Sequence, residues 1–362
     1  MKILLLHGYS ATNAGDGLLV AESLELLRES FGDDAEITVI ALYPETFDFD
    51  GVRVIDSRPT KRGYPAEFRK TLSAIDDFDL VVGVGGGYLR SGNLTETLKT
   101  LLVHGPQLRA AARRRGPVVY LPQSVGPFRL GTRSLFRRPL SRVDAIHLRD
   151  DRSVAELDVP VSVRTPDMAL LSNNWRPRES DRSAQLDRPV VSVRHVRGKL
   201  SDDLTSLVQT LGSFDGYVQS TGGSNDDRAA VAETSPLRIL ERSELIAEGA
   251  PSRVVVAVRL HAALMALQAG HWVIHLAYER KGFGAFSDLG LPDYVYNVNA
   301  FDERAVARQV DELLHDAEAR RRYDAAITGS RARLERARDS VKSHLIAATT
   351  RSGAPQQPSR KV

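Results

Sequence analysis

The sequence predicts an α/β protein with two parallel sheets that face a central cleft. Short apolar runs of strand length alternate with longer amphipathic segments of helix length, which is the pattern of a parallel sheet covered by helices on both faces. The 362 residues are enough for about two domains. One polar segment with two prolines, residues 172–189, interrupts the alternation. In such folds ligands bind at the carboxyl ends of the strands.

Hydrophobic periodicity predicts the elements of the first half, residues 1–171, in chain order. The predicted strands are residues 3–6, 37–42, 80–84, 118–121 and 145–148. The predicted helices are residues 17–31, residues 95–114 and a third helix that begins at 149–153. Because strand and helix alternate, we expect this half to be a Rossmann-like domain.

A second series of strands and helices follows the polar segment. The predicted strands are residues 190–193, 216–219, 254–258 and 272–276, and the predicted helices are residues 204–211, 261–268 and a helical block over 302–349. We therefore expect a linker over 172–189 and a second Rossmann-like domain with terminal helices over 190–349. The polar composition of residues 350–362 predicts a disordered tail.

The composition excludes several classes of function. The chain contains no cysteine, which excludes a disulfide scaffold, a cysteine zinc site, an iron–sulfur cluster and a cysteine nucleophile. This usage fits a reducing compartment, so we expect a cytoplasmic protein. The apolar run at the N-terminus is too short for a signal peptide, and no run reaches the roughly 18 residues of a membrane-spanning helix.

The charge of the chain comes mainly from arginine. Eight of the 49 basic residues are Lys, which leaves 41 Arg, and the formal net charge is +3. Arginine binds phosphate and carboxylate groups in bidentate fashion, so this usage favours recognition of anions; the alternative is genome composition. Acidic and basic residues are interspersed along the chain, so no binding of nucleic acid is expected.

Two glycine-containing loops follow predicted strands of the first half. In the first, residues 12–17, Asn13 and Asp16 precede a helix whose N-terminus offers N–H groups to an anion. Asp16 is a candidate base, and the alternative is a helix cap. In the second, Gly85, Gly86 and Gly87 form either a backbone cradle for an anion or a tight turn. The second loop matches neither a dinucleotide fingerprint nor a Walker loop.

Polar side chains also follow the next two strands. Gln123 and Ser124 come after the strand at 118–121 and are candidate donors to a substrate, with a structural turn as the alternative. Arg149 ends the strand at 145–148 and is expected to point at the mouth of the cleft. The alternative for Arg149 is a surface ion pair with Asp150.

The second half contains the most specific segment, in which an apolar strand runs into Arg259, Leu260 and His261. In extended geometry the side chains of Arg259 and His261 would point the same way, and the following helix N-terminus adds positive potential. This arrangement suits a phosphorylated substrate with a proton donor. Arg194, after another strand, and Lys281, after the strand at 272–276, are further candidate cations. The loop at 219–227 is polar and ends in two acids.

The ordered segments NAGDG, GVGGGYL, PQSVGPF, LRD, SVRH, STGGSNDD, RLHAALMAL and YERKGF resemble the polysaccharide pyruvyl transferase family over roughly residues 2–291. Two positions depart from the family pattern. His275 stands where the family more often has an aliphatic strand residue, and the turn Gly270-His271-Trp272 lacks the usual proline.

The resemblance implies a GT-B-like pair of domains, with the acceptor on the N-terminal side and the donor on the C-terminal side. It implies phosphoenolpyruvate as the donor, a sugar in a cell-surface polysaccharide or its lipid-linked precursor as the acceptor, a cyclic ketal as the product and no cofactor or metal. The family associates the residues matching Arg259, Leu260 and His261 with the donor.

The chemistry of ketal formation needs one acid and one base, for which His261 and Asp16 are the candidates. Arg149, Arg194, Lys281 and the glycines at 85–87 are assigned to phosphoenolpyruvate. Asn13, Gln123 and Ser124 are assigned to the acceptor.

Two other functions fit the same fold pattern. They are a GT-B glycosyltransferase that uses a nucleotide sugar, and a binding protein for anions or carbohydrates that lacks catalysis. A separate hypothesis concerns the membrane. Five arginines between 129 and 142 alternate with leucine and phenylalanine, so this segment is either a basic amphipathic helix that docks on the cytoplasmic face of a membrane or a solvated basic helix.

Overall fold

The computed structural model describes residues 1–129, 131–176, 188–221, 226–247 and 250–352. The chain divides into two compact units. The first unit contains residues 1–11, residues 16–168 and the chain from Arg336 onward, and the second contains Thr12–Gly15 and Ala169–Glu335. The predicted domains differ from this division at both ends. Residues 12–15 group with the second unit, and the last part of the terminal helix groups with the first.

The first unit is built on a parallel sheet in the order β3-β2-β1-β4-β6-β7-β8, with β5 paired to β6. Its strands are β1 (Lys2–Gly8), β2 (Glu36–Ala41), β3 (Arg53–Asp56), β4 (Leu80–Gly83), β5 (Gly86–Ser91), β6 (Val118–Phe128), β7 (Ala145–Leu148) and β8 (Ser162–Arg164). The helices that connect them are α1 (Ala14–Phe31), α2 (Ala66–Ser73), α3 (Leu94–Val103), α4 (Gly105–Arg113), α5 (Arg133–Leu140) and α6 (Asp151–Leu157). The central strands are buried on both faces, as crossover helices require.

The second unit is a parallel sheet in the order β11-β10-β9-β12-β13-β14. Its strands are β9 (Val190–Ser192), β10 (Asp215–Tyr217), β11 (Ile239–Leu240), β12 (Val254–Ala257), β13 (Trp272–Ala277) and β14 (Val295–Asn297). Its helices are α7 (Asp202–Leu211), α8 (Arg228–Glu233), α9 (Arg242–Ile246), α10 (Leu260–Gln268), α11 (Arg280–Asp288), α12 (Glu303–His315) and the first part of α13 (Ala317–Ser352). All paired strands in both sheets run parallel, which confirms the predicted α/β class.

Three predicted elements have different bounds in the structure. The helix expected over 95–114 is two helices, α3 and α4, that meet at His104. Gly105 and Pro106 start the second helix, where the missing N–H of proline costs no hydrogen bond. The terminal helical block likewise divides at Asp316. The strand expected over 118–121 continues to Phe128 as β6, so Gln123 and Ser124 lie in a strand rather than in a turn.

Two predicted segments lie largely outside the described residues. In the linker predicted over 172–189, residues 177–187 are not described, and Arg176 donates its backbone N–H to the carbonyl of Gln268 at 2.9 Å. In the predicted tail, residues 350–352 belong to α13 and residues 353–362 are not described.

Candidate active site

Polar residues collect at the carboxyl edge of the sheet in the second unit. Arg194 follows β9, Arg259 follows β12 and Tyr278 follows β13, and these three strands are adjacent in the sheet. Ser220 follows the neighbouring strand β10. Because parallel strands bring their carboxyl ends to one edge of the sheet, these four residues lie along the same edge although they are distant in sequence.

Arg259 forms a buried bidentate ion pair with Asp227. Its Nε lies 2.5 Å from Asp227 Oδ2 and its Nη2 lies 2.7 Å from Oδ1, and both side chains are at most 10% exposed. Burial raises the pKa of the Asp227 carboxyl, while the guanidinium groups of Arg259 and Arg194 oppose that shift. The positive charge of Arg259 is therefore matched by a carboxylate before any ligand binds.

The extended geometry predicted for Arg259 and His261 is wrong. Arg259 is the N-cap residue of α10, and Leu260 and His261 are its first two helical residues. The two side chains have different neighbours, since Arg259 reaches Asp227 and His261 packs against Gly15. Leu260 is 4% exposed, so its backbone N–H rather than its side chain is available to a ligand at the helix N-terminus.

Arg194 has neutral partners. Its Nη1 donates to the hydroxyl of Tyr278 at 3.2 Å and its Nε to the carbonyl of His195 at 3.3 Å. The guanidinium also lies 5.1 Å from the centre of the Tyr278 ring, a cation–π distance. Among the described residues no carboxylate forms an ion pair with Arg194. It is half-buried, so its charge is available to an anion at this edge.

Lys281 already has an acidic neighbour. Its Nζ lies 2.9 Å from Glu279 Oε2, and both side chains are partly buried. Glu279 is the N-cap residue of α11, which begins directly after it. The prediction that Lys281 binds the donor therefore requires the anion to share this lysine with Glu279.

The loop before α1 packs against His261. A Cβ placed on Gly15 would lie 2.5 Å from His261 Nδ1, so only glycine fits at this position. In the same loop Asn13 forms an isolated antiparallel bridge with Ser220. Asp16 comes directly after Gly15, in the first turn of α1. The sequence indicated that this loop needs glycine, but not that the glycine makes room for an imidazole 246 positions away.

The first unit has its own polar cluster at the carboxyl edge of its sheet. Arg149, after β7, lies 2.5 Å from Asp167 Oδ2 through its Nη1, and both side chains are 2% exposed. Its Nε donates to Ser124 Oγ at 2.9 Å, and that hydroxyl donates to Asp150 Oδ2 at 2.6 Å. Arg149 is therefore not in a surface pair with Asp150. Its charge is balanced by Asp167, which the sequence analysis did not single out.

The glycines at 85–87 serve packing more than anion binding. Gly86 and Gly87 belong to β5, and Gly86 pairs with Gln123 in β6, so no helix N-terminus follows them. A Cβ on Gly85 would lie 2.8 Å from the carbonyl oxygen of Pro122, and one on Gly87 would lie 3.2 Å from Arg149 Nη2. Because Gly86 and Gly87 lie in a paired strand, the structure favours packing here, and the anion cradle at these glycines stays a prediction. Gln123 is fully buried beside them.

Comparison of the sequence with models of protein families shows to which family the chain belongs. The family model for polysaccharide pyruvyl transferase matches residues 13–280, which is more than half of the chain.

The chain belongs to the polysaccharide pyruvyl transferase family.

Comparisons with individual proteins extend this result to the fold. The search of curated proteins found no significant match to this chain. Among solved structures, the MnaA–UDP co-structure from Staphylococcus aureus is similar at a TM-score of 0.56 and 10% identity, with 100% of each chain covered. The α,α-trehalose 6-phosphate synthase from Burkholderia multivorans is similar at 0.55 and 11%, with 100% of this chain and 99% of that chain covered. These likenesses show the fold, and the predicted GT-B-like class is confirmed.

The two departures from the family pattern are accommodated inside the second unit. His275 is buried, donates its Nδ1–H to the carbonyl of Ala257 at 2.8 Å, and stacks on Phe286. Burial lowers the pKa of His275 to about 4, so its ring is neutral near pH 7. His271 is fully buried and accepts from the N–H of Arg253 at 3.1 Å. Gly270 turns the chain with φ +87° in place of a proline.

In the segment proposed for membrane docking, Leu130 lies outside the described residues and Leu135 is 51% exposed, whereas the other two apolar side chains face the protein. In α5, Phe136 and Leu140 are buried in the core of the first unit. Arg133 Nε and Arg137 Nε donate to the carbonyls of Glu156 and Asp158, at the end of α6. These two arginines of α5 thus lie at the negative end of a neighbouring helix. No helix among the described residues is long and apolar enough to cross a membrane.

Proposed function

We propose that the chain transfers the pyruvyl group of phosphoenolpyruvate to two hydroxyls of one sugar, forms a cyclic ketal and releases phosphate. Membership of the family supports a transferase that acts on a polysaccharide or its precursor. The observation in the structure that favours an anionic donor is Arg194 at the carboxyl edge of the second sheet, whose hydrogen bonds among the described residues go to a hydroxyl and a carbonyl rather than to a carboxylate.

The proposed donor site combines Arg194 with the N-terminus of α10. The helix leaves the N–H groups of its first turn without helical partners, and these groups attract anions. Arg259 keeps two of its nitrogens on Asp227, so we assign it to orienting the site as much as to binding. Phosphoenolpyruvate carries a phosphate and a carboxylate, and two separate positive positions suit two anionic groups.

The reaction balances with one acid and one base. His261 donates a proton to C3 of the enol, which makes C2 electrophilic, and a sugar hydroxyl attacks C2. Phosphate leaves with its bridging oxygen, and the second hydroxyl closes the ring at the same carbon. One hydroxyl proton replaces the proton given to C3, and the other leaves with phosphate. Asp16, which follows the loop that packs on His261, is assigned to accept a hydroxyl proton.

The experiment is incubation with phosphoenolpyruvate and a panel of galactosides, glucosides and N-acetylmannosaminides. The expected result is acceptor-dependent phosphate release and a mass gain of one pyruvic acid less one water. His261→Ala should abolish both signals, whereas the exposed His315→Ala should keep them.

A different outcome would identify another function. If no acceptor gains mass, and a UDP- or GDP-sugar but not phosphoenolpyruvate raises the melting temperature, the chain is a glycosyltransferase that uses nucleotide sugars. If neither class of donor is consumed or bound, the proposal of an anionic donor site fails.

A further inference from the structure

Helix α3 in the first unit presents leucines to solvent. Leu94, Leu98, Leu101 and Leu102 are 63%, 59%, 37% and 51% exposed. Their spacing places all four on one continuous face of the helix, which we call the leucine face. Scattered exposed leucines are ordinary, but a contiguous apolar face on one surface helix marks an interaction site.

The buried side of α3 contains two threonines beside Val103 and no leucine. Thr97 and Thr100 face the protein, where Thr97 Oγ1 lies 2.6 Å from Ser91 Oγ and Thr100 Oγ1 donates to the carbonyl of Tyr88 at 3.4 Å. Asn93 caps the helix by accepting from the N–H of Glu96 at 2.9 Å. These hydrogen bonds fix the rotation of α3, so its leucines do not reach the core. This arrangement reverses the usual amphipathic pattern of a surface helix.

The leucine face lies between two groups of exposed cations. At its C-terminal end the hydroxyl of Tyr64 donates to the carbonyl of Leu102 at 2.7 Å, which places the turn containing Lys61 and Arg62 beside it. At its N-terminal end Arg129 donates its backbone N–H to the carbonyl of Ser91 at 2.9 Å. The exposed cations of the two flanks and of the helix itself are Lys61, Arg62, Lys99, Arg109 and Arg129.

The negative charge on α3 is already engaged. Glu96 is the acidic residue in the sequence of the helix, and it lies 3.1 Å from Arg90 and accepts from the N–H of Gly92. An approaching surface therefore meets leucine side chains at the centre and a positive charge at the rim.

We propose that the leucine face of α3 docks this protein on an anionic lipid surface. Leucine side chains insert at the boundary of headgroups and acyl chains, and flanking lysine and arginine side chains bind anionic headgroups. A second copy of the chain fits less well, because two cationic rims would meet across the interface. The proposal does not depend on the reaction, since vesicles alone test it.

The experiment is sedimentation of the full chain with vesicles of phosphatidylcholine, with and without phosphatidylglycerol. Binding is expected to vesicles with phosphatidylglycerol and to weaken as salt is raised. The triple variant Leu94→Gln, Leu98→Gln and Leu102→Gln should bind at least tenfold more weakly. The matched control is Leu237→Gln, which removes a leucine that is 63% exposed in the second unit and should bind like the wild type.

Three results would overturn the proposal. The first is wild-type protein that stays in the supernatant with both kinds of vesicle. The second is a triple variant that binds as tightly as the control with an unchanged melting temperature. The third is a wild-type dimer in analytical ultracentrifugation that the triple variant converts to a monomer, which would assign the leucine face to a second copy.

Discussion

Arg194 is the cation whose removal should affect donor binding most directly. We predict that Arg194→Gln raises the KM for phosphoenolpyruvate by about ten- to a hundredfold, because a hydrogen bond to a charged group contributes about 1.5–3 kcal/mol. Initial rates of phosphate release at saturating acceptor measure this change. The charge-matched control is Arg304→Gln, whose side chain is 81% exposed, and its KM should equal that of the wild type. An Arg194 variant with wild-type KM would remove this residue from the donor site.

Gly15 should be sensitive to the addition of a single methyl group. A Cβ at this position would lie 2.5 Å from His261 Nδ1, so Gly15→Ala must push the imidazole out of place. We predict at least a hundredfold loss of kcat, because misplacing a reacting group by about 1 Å costs this much.

The control is Gly105→Ala, at the first position of α4, where the nearest atom to the new Cβ lies at 3.9 Å. This variant should keep wild-type kcat. If Gly15→Ala also keeps it, the contact with the loop is not needed to position His261.

At the residue scale, the sequence predicts what depends on nearby residues. The positions of Arg149, Arg194 and Arg259 at strand ends are predictable because that assignment needs only the adjacent residues. The pairing of two of these arginines with Asp167 and Asp227 is not predictable in this way. Each pair joins residues at least 18 positions apart, and only the order of strands in the sheet brings them together. Which of these arginines has a charge available to a ligand therefore depends on the tertiary structure.

At the scale of elements, β13 and α11 fit together through one glycine. A Cβ on Gly282 would lie 2.3 Å from His275 Nε2, and His275 is held by the carbonyl of Ala257 at 2.8 Å. We predict that Gly282→Ala destabilises the second unit by about 1–3 kcal/mol, as overpacking of a core does.

A double-mutant cycle tests this contact. His275→Ala removes the ring that the new methyl group would meet, so Gly282→Ala should cost much less in the His275→Ala background than alone. Melting temperatures of the four proteins measure the coupling. Additive losses would mean that α11 shifts away from β13 without straining the histidine.

Element boundaries were predictable where the chain carries a local signal. Gly105 and Pro106 are such a signal at the start of α4. The apolar spacing that continues across them nevertheless predicts a single helix over 95–114. Hydrophobic periodicity also does not predict that the leucine face of α3 is exposed, and the reason is different. A helical repeat of leucines predicts a buried face, whereas hydrogen bonds of Thr97 and Thr100 turn that face outward.

For the whole molecule, the pH dependence of stability should follow from buried neutral histidines. Burial lowers the pKa of His104 and of His147 to about 3, and that of His275 to about 4. Burial also lowers the pKa of His7 well below its ordinary value of 6.5. In the unfolded chain these rings gain protons below about pH 6.5. In the folded chain His104, His147 and His275 stay neutral until about pH 3–4.

Because the unfolded state binds more protons in this interval, the free energy of unfolding should fall as the pH drops from about 6.5 towards 4. His104, His147 and His275 each contribute a loss of about 2 kcal/mol at pH 5. Three of the four lie in the first unit, so that unit should melt first in acid. Melting curves at pH 7, 6 and 5 measure the effect.

Two histidine variants test the cause. The melting temperature of the His147→Gln variant should fall less steeply between pH 7 and pH 5 than that of the wild type, because one titrating group has been removed. His315→Gln removes a histidine whose side chain is 57% exposed, and its slope should match that of the wild type. Equal slopes for all three proteins would show that His147 is protonated in the folded chain as readily as in the unfolded one.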